Sequence, residues 1–523
     1  MAYAKLFAAP HASSGERAAT AHARLATASA SVRIVVLFLV ALHLGLTLFL
    51  AHKLNIGFDE ACTLHTTDGS ISEAFHQAIT FEIQAPAYFV FLNVWRTLDG
   101  SIFFARLFSV ICIALTIVAA AAVSRRFLPT LNPAWLAGAI ALHPFAVWAA
   151  VEIRVYALVI LLTALLLITF FDGFLAPSTK ARGRVLFALL ALLSLYTHYY
   201  LGFLIAGGAC ALIVLRRWRE LRSYLLLMTL VGLCFAPMVF IVYGQMSALA
   251  QPHARAVSPY EGLKAVAQRF YEYVLPAEWD AAQFVRRWLV RLGFVLASVV
   301  FVREGRRRPA QVALWTIVCV LALLLFVALF LTGGDLMQTR HGATLFLPVI
   351  LIAFAAVECA SRRRSVRAVV AAIAFFFYLT SLSVTYAPLA KAGDWGRVAS
   401  FIKSAERPGQ PVLVFRGINA LTLKYHYTGS NTLVPIPNAL RFDTYILRDE
   451  AIPNPQQLAE AMERVPGTGN QFWLVVDNIC QPPNAGPDCR MFEDFFSSNY
   501  ALIEKKSFFR SEVRLLQRKD ESE

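Results

Sequence analysis

Charge is scarce in this chain. Only 15% of its 523 residues are Asp, Glu, Lys or Arg, against 58% that are hydrophobic, and mean hydropathy is +0.59. That balance excludes an ordinary soluble protein and places the chain among polytopic membrane proteins. Acids are scarcer than bases, leaving a net charge of +15. The bases fall in short clusters between apolar runs instead of covering a surface interleaved with aromatics, which argues against nucleic acid and for the lipid bilayer as partner. There is no internal repeat, no metal-finger cysteine spacing and no Gly-rich phosphate loop beside a strand. The first ~30 residues lack the apolar core of a cleaved signal peptide, so 1–32 reads as a loose cytoplasmic tail ahead of a signal anchor.

What the chain does have is apolar length. Runs near 33–52, 103–124, 131–150, 155–172, 185–201, 201–215, 223–243, 288–302, 310–331, 342–359 and 368–387 approach the ~17–25 residues that cross a bilayer. About eleven transmembrane helices are therefore expected over 33–387. With the N-terminus inside, every alternate loop is basic: Arg125 and Arg126, then Lys180, Arg182 and Arg184, then "RRWRELR" (216–222), "REGRRR" (303–308) and "SRRRSVR" (361–367). That alternation is what the positive-inside rule requires. "APAYFVFLNVWRTL" (85–98) is too short to span and is read as an interfacial piece of a first external loop, 53–102. External pieces also include a long loop at 244–287 and "GGDLMQTRHG" (333–342).

After Tyr386 the composition becomes that of a soluble domain, 388–523, expected to be α/β and periplasmic. "PVLVF" (411–415) and "FWLVVDN" (472–478) read as buried strands, "GDWGRVASFIKSAE" and "PQQLAEAMERV" as amphipathic helices, and "ALIEKKSFF" with "EVRLLQR" as a closing hairpin. Cys480 and Cys489 bracket a polar stretch and form a disulfide candidate in an oxidising compartment.

On this topology several polar residues collect on the outer side: Asp59 and Glu60, Glu82 and Gln84, Glu152, Arg154 and Tyr156, His198 and Tyr199, and Arg340 with His341. Ionisable groups near membrane depth cost about 2.5–3.5 kcal/mol each at the centre and less toward the ends, so they are functional candidates. Asp59 and Glu60 read either as a polar stop after the first span or as carboxylates whose basicity rises beside lipid, able to take a proton or hold a divalent metal ion. Glu152 and Arg154 suit a structural pair equally well. His198, between tyrosines, suits an aromatic belt. Arg340, alone before an apolar span, offers a bidentate fork to phosphate.

These residues sit in pieces that carry a resemblance. "FDEA" after the first span, "QAPAYFVFLNVWRTLDGSIFFARLFSVI" (84–111), "EIRVYAL" (152–158), "YTHYY" (196–200), "TRHGATLFLPVI" (339–350) and "GDWGRVASFI" (393–402) resemble the bacterial GT-C membrane glycosyltransferases, the family that includes protein O-mannosyltransferases and the lipid A aminoarabinose transferase. The resemblance implies an inner-membrane, GT-C-like enzyme that moves a sugar, with inversion, from a polyprenyl-phosphate donor to a periplasmic acceptor. That acceptor would be lipopolysaccharide or another envelope glycan, with protein as the alternative. It places Asp59 at the family's first catalytic acid, Glu152 at its second acidic position and Arg340 opposite the lipid phosphate; the need to hold that phosphate with cationic donors suggests Arg154 as a further cation. Glu60, Glu82, Gln84, Tyr156, His198, Tyr199 and His341 would line the substrate cavity. The chain departs from the family's Pro-Pro-Leu pattern, having Ala85 and Ala87 in "QAPAY". From another class, a transporter or lipid flippase would show interrupted helices in two related halves, for which the sequence offers no symmetry.

Overall fold

The computed structural model describes residues 14–249, 258–276, 280–304, 308–332, 339–360, 363–391, 393–442, 455–463, 465, 471–477 and 487–519. Each of the eleven apolar runs forms helix. Among the described residues, seven helices are long and apolar enough to cross a membrane: Ala30–Lys53, Ile102–Phe127, Tyr156–Leu175, Trp218–Ser247, Pro309–Phe330, Thr339–Glu358 and Ser365–Tyr386. An eighth crossing is available if Pro133–Leu142 and Pro144–Val151, bent by 57° at their junction, count as one.

The expected count of eleven is not confirmed. Ala181–Thr197 and Leu201–Val214 have only 17 and 14 residues, and Asp280–Glu304 carries Arg286, Arg287 and Arg291 in its first half. The first helix begins at Ser14, so part of the stretch read as a loose tail is helical. Its Ala-rich sequence has high helix propensity, which lets the anchor helix continue outward.

Tyr156–Leu175 is the central span, with 78% of its apolar window buried, while Trp218–Ser247 and Ser365–Tyr386 lie at the periphery with 11%. Close packing at the centre uses small residues, as membrane interfaces do. A Cβ on Gly207 would sit 3.0 Å from the Ile317 Cα, so the Leu201–Val214 and Pro309–Thr332 helices meet backbone to backbone. Pro144 cannot donate to the helix ladder, and the break falls there; the His143 ring caps the new helix by accepting from the Phe145 N–H at 3.0 Å.

The first loop folds as three short helices, Phe58–Thr66, Ile71–Thr80 and Ala87–Arg96. The last of these covers the segment read as too short to span. Ser70 and Glu73 close a capping box on the second. Arg96 ties the third to the first, donating to the Leu64 carbonyl at 2.7 Å and the Thr67 hydroxyl at 2.8 Å.

The C-terminal part is a five-stranded sheet: β1 (Val412–Phe415), β2 (Leu433–Ile436), β3 (Gln471–Asp477), β4 (Tyr500–Phe508) and β5 (Ser511–Arg518), in the order β2-β1-β3-β5-β4. β1 runs parallel to β2 and β3, and β5 antiparallel to β3 and β4. Alternate residues feed two cores, as strand geometry requires. Leu413, Phe415, Phe472 and Leu474 pack against Leu458, Phe492 and Phe496. Val412, Val414, Trp473 and Val475 pack against Trp395, Val398 and Ile402. Both expected strands, both amphipathic helices and the closing hairpin are present. Cys489 is disulfide-bonded; Cys480 lies outside the described residues.

The sheet rests on the first loop. Leu421 and Tyr425 pack into the membrane core cluster. The His426 Nε2 accepts from the Ile56 N–H at 3.3 Å, and the Phe442 ring lies 3.6 Å from that of His65 and 5.2 Å from that of Phe81.

Candidate active site

Asp59 and Glu60, adjacent in the first turn of the Phe58–Thr66 helix, face opposite ways. Asp59 reaches out to pair with Arg340, both side chains about one-third exposed at 32% and 29%. Glu60 turns inward and is completely buried. Its carboxylate accepts from the Gly57 N–H at 2.9 Å, the Ile153 N–H at 3.1 Å and the Arg106 guanidinium at 3.3 Å, and pairs with the Lys391 ammonium at 2.6 Å. The expectation that Glu60 lines the cavity is thereby corrected: its acceptor positions are filled by protein, so it is a structural knot. Burial pushes its pKa up, but Arg106 and Lys391 outweigh burial and the net displacement is downward.

Arg106 shows what that knot holds. It is fully buried and also donates to the carbonyls of Ala51, Leu54 and Asn55 at 2.9, 2.6 and 2.8 Å, the turns that end the first membrane helix. Arg126 lies twenty residues further along the same helix, Ile102–Phe127, so about 30 Å away. There it pairs with Asp172 at 2.7 Å. The candidate site thus occupies one end of the helix bundle and a basic ion-pair belt the other.

Glu152 follows the bent helix at its C-terminal end. It pairs with Lys391 at 2.8 Å and is buried, 6% exposed. Burial raises its pKa to about 7, with Lys391 opposing and Glu60 reinforcing the rise. Of the two carboxylates on one ammonium, Glu60 is thus held down by its two cations and Glu152 pushed up by burial.

Arg154 joins the first loop to the bundle. Its guanidinium donates to the Thr63 hydroxyl at 2.7 Å, the Asp59 carbonyl at 3.2 Å and the Glu82 carboxylate at 2.8 Å. Glu82 also accepts from Gln84 at 3.4 Å, and burial raises its pKa against the pull of Arg154. Tyr156 stands in the field of Arg154, Arg340 and Asp59. The Nε–H groups of Arg154 and Arg340 are buried and have no hydrogen-bond partner among the described residues.

The structure thus brings together Asp59, Glu82, Gln84, Arg154, Tyr156 and Arg340, while Glu152 is grouped with Glu60, Arg106 and Lys391. His198 and His341 are electrostatic neighbours of each other. Tyr199 turns toward Gln245, donating to its side chain at 2.9 Å, and Gln245 donates on to the Gln84 carbonyl at 3.3 Å. Arg106 and Lys391 were missed. An Arg in the first turns of an apolar 26-residue helix, far from the basic pair that ends it, was the available signal for the first; Lys391, in a polar joint, had none. Among the described residues no group of three or more His, Cys, Asp or Glu is arranged to hold a metal ion. Each carboxylate of the site already faces a cation, so the donor set does not fit the divalent ion that Asp59 and Glu60 suggested.

No protein-family model matches the chain, and no curated protein matches it. Among solved structures, ArnT from Cupriavidus metallidurans, bound to undecaprenyl phosphate, aligns with a TM-score of 0.55 at 14% identity over 92% of this chain and 97% of that one. The Archaeoglobus fulgidus oligosaccharyltransferase, in one structure with zinc and sulfate and in another, as AglB, with an inhibitory peptide and dolichol phosphate, aligns over 76% of this chain at 11% identity, with TM-scores of 0.44 and 0.42. The match to ArnT, nearly end to end in both chains, shows that this multi-pass membrane protein has the GT-C fold.

Proposed function

We propose that the chain is an inverting glycosyltransferase of the bacterial inner membrane, with its N-terminus cytoplasmic and its sheet domain periplasmic. It moves a sugar from a polyprenyl-phosphate donor to lipopolysaccharide or another envelope glycan. The observation that carries this reading is the grouping of Asp59 with two guanidinium groups, Arg340 and Arg154, whose buried Nε–H donors have no partner among the described residues. Buried donors of this kind call for an acceptor, and a phosphate monoester or diester supplies several anionic oxygens in guanidinium geometry.

In the reaction, Arg340 and Arg154 hold the phosphate and stabilise the charge that builds on it. An acceptor oxygen attacks the anomeric carbon from the face opposite the phosphate. The carbon–oxygen bond to phosphate breaks, and polyprenyl phosphate leaves with the electron pair. If the acceptor is a hydroxyl, its proton passes to Asp59 as general base. Sharing Arg340 with the donor frees one Asp59 oxygen for that task. Glu82, held by Arg154 and Thr63, fixes the guanidinium in place.

The test is mass spectrometry of envelope glycolipids and glycoproteins after deletion of the gene. One sugar mass should vanish from one carrier and return with the wild-type gene, but not with Asp59→Asn. An unchanged profile, or rescue by Asp59→Asn, would overturn the proposal.

A further inference from the structure

Among the described residues, Lys391 is the one cation at this centre that comes from outside the helix bundle. It follows the last membrane helix, Arg364–Tyr386, and precedes Gly393 and the Trp395–Ala405 helix that packs on the sheet. Its ammonium, 13% exposed, lies 2.6 Å from Glu60 and 2.8 Å from Glu152, and donates to the Val151 carbonyl at 3.3 Å. Its backbone is clamped by one first-loop side chain: the Asn55 amide accepts from the Lys391 N–H at 2.8 Å and donates to the Lys391 carbonyl at 2.6 Å and to the Gly393 carbonyl. On the other side of the joint, the Asp394 N–H donates to the Ser511 hydroxyl of β5 at 3.3 Å. Gly393 makes the turn between them with φ +121°, where a Cβ would strike the Trp395 ring at 2.8 Å.

We infer that Lys391 is a positioning residue through which docking of the sheet domain on the first loop completes the acidic centre. The inference rests on Glu152 belonging to the transferase site. Two carboxylates this close cannot both ionise in a buried space without a cation between them. Glu152 faces Glu60 from the first-loop helix, Arg106 from the Ile102–Phe127 helix, Tyr386 from the last membrane helix and Lys391 from the joint. Arg106 is committed to Glu60 and three carbonyls. Lys391 alone makes an ion pair with Glu152 among the described residues. Were the sheet domain to lift away, the ammonium would leave with the joint, and Glu152 would take up a proton.

The full chain, in lipid nanodiscs, can be titrated by infrared spectroscopy, with Glu152→Gln identifying the Glu152 carboxyl band. In the wild type the band should titrate near pH 7. Lys391→Met should move that midpoint up by about one pH unit or more, Lys391→Arg should return it toward the wild type, and Asn55→Ala should move it up as Lys391→Met does. An unchanged midpoint in Lys391→Met would overturn the pairing, and an unchanged midpoint in Asn55→Ala would overturn the coupling to docking. Binding of undecaprenyl phosphate to the wild type is measured in parallel. Its absence would sink the transferase reading and leave the titration result standing.

Discussion

Asp59 and Arg340, 281 positions apart in the chain, form an ion pair at the partly exposed edge of a polar group that is otherwise buried. Both side chains keep about one-third of their surface exposed, and Arg154 donates to the Asp59 carbonyl at 3.2 Å.

Arg340→Ala should weaken binding of undecaprenyl phosphate about 10- to 100-fold, the loss expected for charge-assisted hydrogen bonds. Membrane insertion should be normal. Microscale binding measurements in detergent or nanodiscs check this, and equal affinity in the variant would remove the phosphate role.

Asp59→Asn and Glu60→Gln should separate function from stability although the residues are neighbours. Glu60 is fully buried against Arg106 and Lys391, so loss of its charge should destabilise the fold by about 3–5 kcal/mol. Asp59→Asn should abolish transfer and leave the unfolding temperature close to that of the wild type. Thermal unfolding followed by tryptophan fluorescence decides between them; equal destabilisation by both would undo the division of labour.

Glu152 should leave a signature in pH-dependent stability. Its carboxyl is raised from 4.5 to about 7 by burial, so the protonated form is the one that folding favours. Its contribution is fully present below 4.5 and is lost as pH rises through about 7. The difference in unfolding midpoint between wild type and Glu152→Gln should therefore change between pH 4.5 and 7.5. A constant difference would show that the residue does not titrate there.

The bond at Cys489 should join it to Cys480. Peptide mapping of unreduced protein should find the two in one cross-linked fragment that separates on reduction. Recovery of Cys480 as a free thiol would exclude the pairing.

Sequence carried the frame of this molecule further than its centre. Long apolar runs and alternating strands are periodic over many residues, so Ile102–Phe127 and β3 were legible at once. β2 was not: four residues, one of them Pro435, give no readable alternation, and a proline in a strand is tolerated at the sheet edge where β2 lies. At the site, position along the chain named Asp59, Arg154 and Arg340 but could not say which way a side chain turns. Asp59 and Glu60 differ by one step of helix, about 100°, and that step sends one to the opening and the other to the interior. Lys391 is invisible to any local pattern because its partners lie 331 and 239 residues away.

The helix Pro144–Val151 is anchored at its start by the His143 cap and ends at the residue that meets the ammonium. Its eight residues act as a spacer with a fixed phase. Inserting a single alanine would rotate everything after it by about 100° and lengthen the spacer by about 1.5 Å, swinging the carboxylate off its partner while leaving every side chain of the site chemically intact.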